Sequence, residues 1–477
     1  MPFKHFTIDF AKLAKESSNR FDVDFSDFNS AEKTATYSFR DYFLIENSEG
    51  KNLATSLSES EDDFCYGEIG DVAKDGNVEP QKLNFSQRDE FVENYFKKIE
   101  KGDIQQAEEN NILISKVRPN LRKFVFVNEE YKNYFFTTAF INIKPKKLHK
   151  IFYYCFRTIF YDDLMAISRQ GKGYPTLKED DLLNMRLNKK TIDKLEEKES
   201  ELVAKIEPIE QKIKEIKVQI IPAQEVMNKV FAREFGFDLE RFEELKKIKN
   251  YWLDLSAFAN NKDIRQSVKF HREAGIFVIE QLQKNTNKKI KHFIAEPIVL
   301  GTSVSPSDYD ENGDWFYVSM ANIKNWKFER EDSKLVSPEY ARQNQNKIVA
   351  KDDILVARSG EGTIGKVALI EDENLKGVFA DFTMRIRLAN YNPLFAYYYF
   401  RTEYFQYLVE VNKKGLGNNT NIFPSQIQEL PMIDISLQRQ QKIVDEIKME
   451  LDKQEEIKKK VDSERAKIDE IIEKAVR

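Results

Sequence analysis

Cysteine is nearly missing from this chain. Only Cys65 and Cys155 occur in 477 residues. Neither belongs to a C-x-x-C pair, which argues against a disulfide framework and a thiolate zinc site. The 4 histidines have no ligand spacing, so a histidine metal centre is not expected either. No apolar run approaches the length that spans a bilayer. The opening MPFKHFTIDFAK lacks a basic head followed by an apolar core, so no secretory signal is legible. Flexible glycine–serine spacers are absent. These absences point to the cytoplasm and to no membrane partner.

Charge is plentiful but uneven. The net charge is −5, which by itself argues weakly against nucleic acid. Residues 1–110 carry 13 Lys+Arg against 24 Asp+Glu, whereas residues 111–190 carry 16 against 7. A basic tract inside an acidic chain is compatible with a polyanion at one face, and equally with a solvated charged surface.

The chain repeats itself. RFDVDFSDFNSAEKTATYSF (20–39) faces NYWLDLSAFANNKDIRQSVKF (250–270), with Phe21, Asp24, Ser26 and Phe28 matching Tyr251, Asp254, Ser256 and Phe258. DDFCYGEIGDVAKDG (62–76) faces GDWFYVSMANIKNWK (313–327), and NILISKVRPNLRKFVFV (111–127) faces DILVARSGEGTIGKVALI (353–370). YYCFRT (153–158) faces YYYFRT (397–402), and GKGYPT (171–176) faces GLGNNT (415–420). Each copy then enters a charged helical stretch, at 191 and at 436. The order of the blocks predicts a tandem duplication, each copy a globular domain followed by a helix. The expected α+β plan has globular domains at 1–190 and 236–435 and helical segments at 191–235 and 436–477.

Gly360 to Lys366 spell G-x-x-x-x-G-K, most of a phosphate-binding loop. Such a loop needs a Ser or Thr after the lysine to hold magnesium and a helix to follow. Here Val367 follows, and VALI reads as a second strand. The matching stretch of the first copy, SKVRPNLRKFVFV, has no glycine. The segment is predicted to be strand–turn–strand, with its glycines serving the turn.

In the first helical stretch, Leu195, Leu202, Ile209 and Ile216 recur every seven residues, with Ile192, Ile206, Ile213 and Ile220 beside them. That is a heptad seam. Pro208 should bend or break this helix. Pro222 should end it, with a shorter helix over 223–235. In the second stretch the seam includes Val444, Ile447, Leu451, Val461 and Ile468, interrupted by Gln454, Lys458 and Arg465, and no proline falls in 436–477. Burying both stripes against each other predicts two long antiparallel coiled-coil helices. Helices of about 30 residues would span roughly 45 Å and hold the globular domains apart.

DDILVARSGEGTIGKVAL (352–369), KKGLGNNTNIFPSQIQELPM (413–432) and LQRQQKIVDEI (437–447) resemble the specificity subunit of type I restriction–modification systems. The resemblance covers nearly the whole chain. The first copy departs from it in its glycine-free turn KVRPNLRK and in Pro208. The resemblance implies two target recognition domains, each reading one half of a bipartite site on double-stranded DNA. It also implies helices that separate them and dock methyltransferase subunits, two of them, with restriction and translocase subunits as further partners. S-adenosylmethionine, ATP and magnesium would then belong to those partners and not to this chain. No methyl-donor loop with an N-P-P-Y/F motif is present; NPLF (392–395) lacks the second proline. The chain is thus expected to be a non-catalytic reader. The competing readings are a helical scaffold without DNA recognition and a P-loop enzyme.

Phosphate contacts need Lys or Arg, and base readout needs side chains that reach base edges. In the strand–turn–strand the candidates are Lys116, Arg118, Arg122 and Lys123 in the first copy, and Arg358, Thr363 and Lys366 in the second. In the glycine loop they are Arg169, Gln170, Lys172 and Tyr174, then Lys413, Lys414, Asn418, Asn419 and Thr420. Arg157 and Arg401, and the aromatic runs around them, read as structural.

Overall fold

The computed structural model describes residues 36–88, 93–170, 174–248, 250–259, 267–330, 333–360, 363–415 and 420–477. The repeat positions Phe21, Asp24, Ser26 and Phe28 lie outside these residues. The chain divides into two units, Met1–Val218 with Lys458–Arg477, and Gln219–Ile457.

In the first unit, strands form where β-branched and aromatic residues cluster between turn signals. Those of the two main sheets are β1 (Phe43–Glu46), β2 (Phe64–Gly67), β3 (Gln81–Leu83), β4 (Gln105–Gln106), β5 (Ile112–Ser115), β6 (Phe124–Phe126), β7 (Phe135–Phe136) and β8 (Phe140–Pro145). One sheet has the order β1-β8-β5-β6, all antiparallel. The other has the order β3-β2-β7-β4, with β2 and β7 parallel. Every residue of β5 is buried, as expected of a strand covered on both faces. Helices α1 (His149–Arg157) and α2 (Tyr161–Ile167) follow, then a short hairpin of β9 (Arg169–Gln170) and β10 (Pro175–Thr176).

The second unit repeats this plan. The strands of its two main sheets are β11 (Val299–Leu300), β12 (Trp315–Val318), β13 (Leu335–Val336), β14 (Ile354–Ala357), β15 (Val367–Leu369), β16 (Gly377–Phe379) and β17 (Thr383–Ile386). The order β11-β17-β14-β15 answers β1-β8-β5-β6 strand for strand. The order β13-β12-β16 answers β3-β2-β7, again with the β12–β16 pair parallel. Where β4 lies against β7, Ile348 makes an antiparallel bridge to Val378 of β16. The FAYYYF run is the buried face of a helix at Pro393–Arg401, and FYYCF is the same in α1. Both aromatic runs therefore build core, as the sequence indicated. A second helix, Glu403–Asn412, follows the first. The strand–turn–strand reading of the G-x-x-x-x-G-K segment holds: β14 and β15 pair antiparallel, Ile354 opposite Leu369.

Between the repeats lie α3 (Lys189–Glu197), α4 (Glu199–Lys217) and α5 (Ala223–Phe235). Pro222 caps α5, at the boundary its missing N–H favours. One correction concerns the expected break at Pro208. The helix passes through it and breaks instead at Lys198. Pro208 is exposed, while Leu202, Ile206 and Ile213 are buried. Burial of that apolar stripe outweighs the one hydrogen bond that the ring removes.

The last helix runs unbroken over Leu437–Val476. In the first unit, the Lys194 ammonium donates to the Val476 and Arg477 carbonyls at 2.8 Å, and Lys198 to that of Ala475. Both lysines sit at a helix C-terminus, where the open carbonyls favour cations. Lys212 pairs with Glu464 at 2.6 Å. In the second unit, the Ile221 amide donates to Gln454 Oε1 at 2.8 Å and Arg233 pairs with Glu446 at 2.6 Å. Within each unit, partner numbers fall as helix numbers rise, so the packed segments run in opposite directions. Of the seam, Leu195, Leu202, Val444, Ile447, Val461 and Ile468 are buried, whereas Ile209, Ile216 and Leu451 are half-buried. Two interruptions of the seam have partners: Gln454 takes the Ile221 amide, and Arg465 pairs with Asp75.

Among the described residues no helix is long and apolar enough to cross a membrane. Among them, no group of three or more His, Cys, Asp or Glu is placed to hold a metal ion.

Candidate nucleic-acid interface

The two candidate loops of the first unit lie side by side. The turn after β5 carries Arg118 and Arg122 at φ 51° and 53°, on either side of a single 3-10 turn, Pro119–Leu121. Its backbone is joined to the β9–β10 hairpin. The Arg118 amide donates to the Pro175 carbonyl at 2.9 Å, and the Leu177 amide donates to that of Lys116 at 2.9 Å. The Arg118 guanidinium lies 5.2 Å from the centre of the Tyr174 ring, and that of Arg122 lies 3.8 Å from the centre of Tyr161. Tyr174 remains 44% exposed. Lys116 is half-buried and pairs with Glu179 at 2.9 Å.

Two first-copy candidates face inward. Lys123 donates to the Ile69 carbonyl at 2.8 Å, and burial pushes its pKa down. Arg169 grips Asp181 through two hydrogen bonds of 2.7 and 2.8 Å, and Asp181 is fully buried. That pair fastens the base of the hairpin, because a buried carboxylate needs its cation. Lys172 and the Gln170 side chain lie outside the described residues.

The second unit joins its loops in the same way. Ser359 bridges Asn421, and the Ile422 amide donates to the Arg358 carbonyl at 2.9 Å. Gly360 and Gly365 take φ 87° and 82°. A Cβ on Gly365 would stand 2.8 Å from Gln406 Oε1 and 2.9 Å from Val409 Cγ1, so this turn admits only glycine. Arg358 directs its Nε to the Asp381 carbonyl at 2.9 Å, with the rings of Phe382 and Phe423 centred 5.6 and 5.9 Å away. Both rings are exposed, at 45% and 39%. Lys414 is exposed, and its backbone pairs with Asn421.

Other candidates of this copy serve the fold. Thr363 donates to the Ser359 carbonyl at 2.8 Å inside the turn. Lys366 is half-buried, and burial lowers its pKa. Lys413 pairs with Glu410 at 2.6 Å, and Glu410 also meets Lys269 at 3.0 Å. Thr420 is 4% exposed, which leaves little of its side chain for a duplex. Asn418 and Asn419 lie outside the described residues.

Arg157 donates to the carbonyls of Arg122 and Lys74, and Arg401 is buried with Tyr397, in line with their structural reading. The sequence reading missed Tyr161, Phe382 and Phe423. Their signal is faint: one or two aromatics at the edge of a polar or turn stretch (DFT, NIFP, IFYDD) rather than long runs.

Residues 268–464 match the family described as the type I restriction modification DNA specificity domain. No curated protein matches the chain. Among solved structures, the chain is similar to one from work on complex assembly and conformational transition of the type I R-M system, at 14% identity over 93% of this chain and 97% of that one, with a TM-score of 0.37. It is similar to the HsdS subunit from Thermoanaerobacter tengcongensis, at 12% over 93% and 96%, TM-score 0.30. It is also similar to the S subunit of the type I restriction–modification system from M. genitalium, at 13% over 94% and 97%, TM-score 0.37. What the family model describes is a DNA specificity domain. The family match thus covers the second copy from Val268 and the helix that follows it as far as Glu464.

Proposed function

We propose that the whole chain is the non-catalytic specificity subunit of a type I restriction–modification complex. Each copy reads one half of a bipartite, asymmetric duplex target. The long helices dock methyltransferase subunits, two of them, and restriction–translocase subunits join that assembly. S-adenosylmethionine, ATP and magnesium would be held by those partners.

One observation carries this reading. The first copy contributes nothing to the family match, yet it repeats the matched copy's sheet order and the same joining of turn and second loop. Asymmetry follows from the loops, since the side chains presented by the two turns differ. The residues proposed to meet DNA are Lys116, Arg118, Arg122 and Tyr174 in the first copy, and Arg358 and Lys414 in the second. The test is selection of duplexes from a random library by the full chain assembled with its methyltransferase. Two short specified blocks separated by an unspecified spacer are expected. Enrichment of no sequence would leave only a helical scaffold.

A further inference from the structure

Four large aromatic side chains stand out as exposed among the described residues: Tyr174, Trp252, Phe382 and Phe423. Three of them flank an arginine at the equivalent turn of their own copy. Tyr174 lies under Arg118, and Phe382 and Phe423 lie on Arg358. Single exposed apolar side chains are ordinary, but here two exposed phenylalanine rings meet at one arginine, and such clustering marks an interaction site.

Arg358 is held more firmly than a surface arginine needs to be. Its amide donates to the Phe382 carbonyl at 3.0 Å, and its carbonyl accepts from Ile422 at 2.9 Å. Its Nε is tied to the Asp381 carbonyl at 2.9 Å. The two main-chain bonds anchor the residue, and the Nε bond restrains the guanidinium beside the two rings. The Nε bond uses one edge of the fork, and the two terminal nitrogens form the other. A fork held in advance loses little side-chain entropy when it binds.

We propose that Arg358, Phe382 and Phe423 form a reading head for a guanine next to a thymine. The inference rests on the specificity reading above. The terminal nitrogens of Arg358 meet guanine O6 and N7, the bidentate match that a planar fork makes best. Phenylalanine cannot donate or accept, so its readable feature is the thymine methyl beside that guanine. The rings also keep water from the arginine, which strengthens both hydrogen bonds.

The test uses the full chain assembled with its methyltransferase, and duplexes selected from a random library. Arg358→Lys keeps the charge and loses the fork. It should lower the preference for one guanine, in one half-site, by about 10- to 100-fold, leaving other positions and the salt dependence unchanged. Replacing that guanine by 7-deazaguanine should weaken the wild type more than R358K, whose ammonium makes no bidentate match. Replacing the adjacent thymine by deoxyuridine should weaken the wild type, and Phe382→Ala with Phe423→Ala should abolish that sensitivity. Phe382→Leu, which keeps an apolar side chain, guards against loss of fold and should retain part of it. If R358K selects the same guanine as strongly, or the alanine variant still distinguishes thymine from deoxyuridine, this inference is overturned while the specificity reading stands. A wild-type chain that enriches no sequence overturns both.

Discussion

The two copies share a sheet order and differ in the turns those sheets present. Arg118 and Arg122 of the first copy hold the left-handed backbone positions that Gly360 and Gly365 hold in the second. A side chain in that conformation costs roughly 1–2 kcal/mol. In the second copy the space beside Gly365 is taken by Gln406 and Val409, and only glycine fits. In the first copy each arginine rests on a tyrosine ring instead. A duplication can keep its architecture through buried strands while its turns change in both chemistry and tolerance. Those turns are where a reader must diverge if its two halves are to read different bases.

The largest expected effect tests how firmly the first copy grips its helices. Asp75 is half-buried, which raises its pKa, yet Arg465 and Lys217 hold its carboxyl below the usual range. Arg465→Ala leaves that carboxylate short of a partner and should destabilise the first unit by about 3 kcal/mol. Hydrogen exchange should rise there and not in the second unit. Because the folded carboxyl is depressed, its contribution is full above its unfolded value of about 3.9 and fades as pH falls below it. Acid unfolding followed by exchange should therefore soften the wild-type contact while leaving R465A less sensitive to pH.

Next in size is the glycine exchange. Gly365→Ala should cost about 2 kcal/mol by urea unfolding, from the left-handed backbone and the close Gln406 and Val409 atoms. Equal tolerance at Gly365 and Arg122 would break the contrast between the copies. Smaller still, Lys414→Gln should lower the slope of log affinity against log salt by about 0.9. Lys413→Gln should leave that slope alone and cost about 1 kcal/mol in stability instead, because its ammonium answers Glu410. The smallest effect is expected from Arg122→Gly. Relief of backbone strain and loss of the Tyr161 contact should nearly cancel, within about 1 kcal/mol.

Much of the fold was legible because it is written in local pattern. The duplication, the strand–turn–strand at Gly360 and the helix over Ala223–Phe235 all follow from spacing and punctuation. Pro208 misled because its exposure depends on which face of α4 is buried, which no single window reveals. The candidate site was legible as two loops per copy, and the structure joins those loops. Individual side chains were less so. The partners of Lys123 and Arg169 come from other elements, and Lys413 shares Glu410 with the distant Lys269. A basic residue in a glycine loop looks the same in sequence whether it faces a duplex or a buried carboxylate. Phe382 and Phe423 escaped for the converse reason, since phenylalanine ordinarily marks core.

The central claim is that each copy reads its own half of the target. Residues 1–190 can be replaced by those of a related specificity subunit, and the hybrid, assembled with methyltransferase, used to select duplexes from a random library. One half of the wild-type consensus should change and the other should persist unaltered. A consensus that changes in both halves, or in neither, would contradict the account.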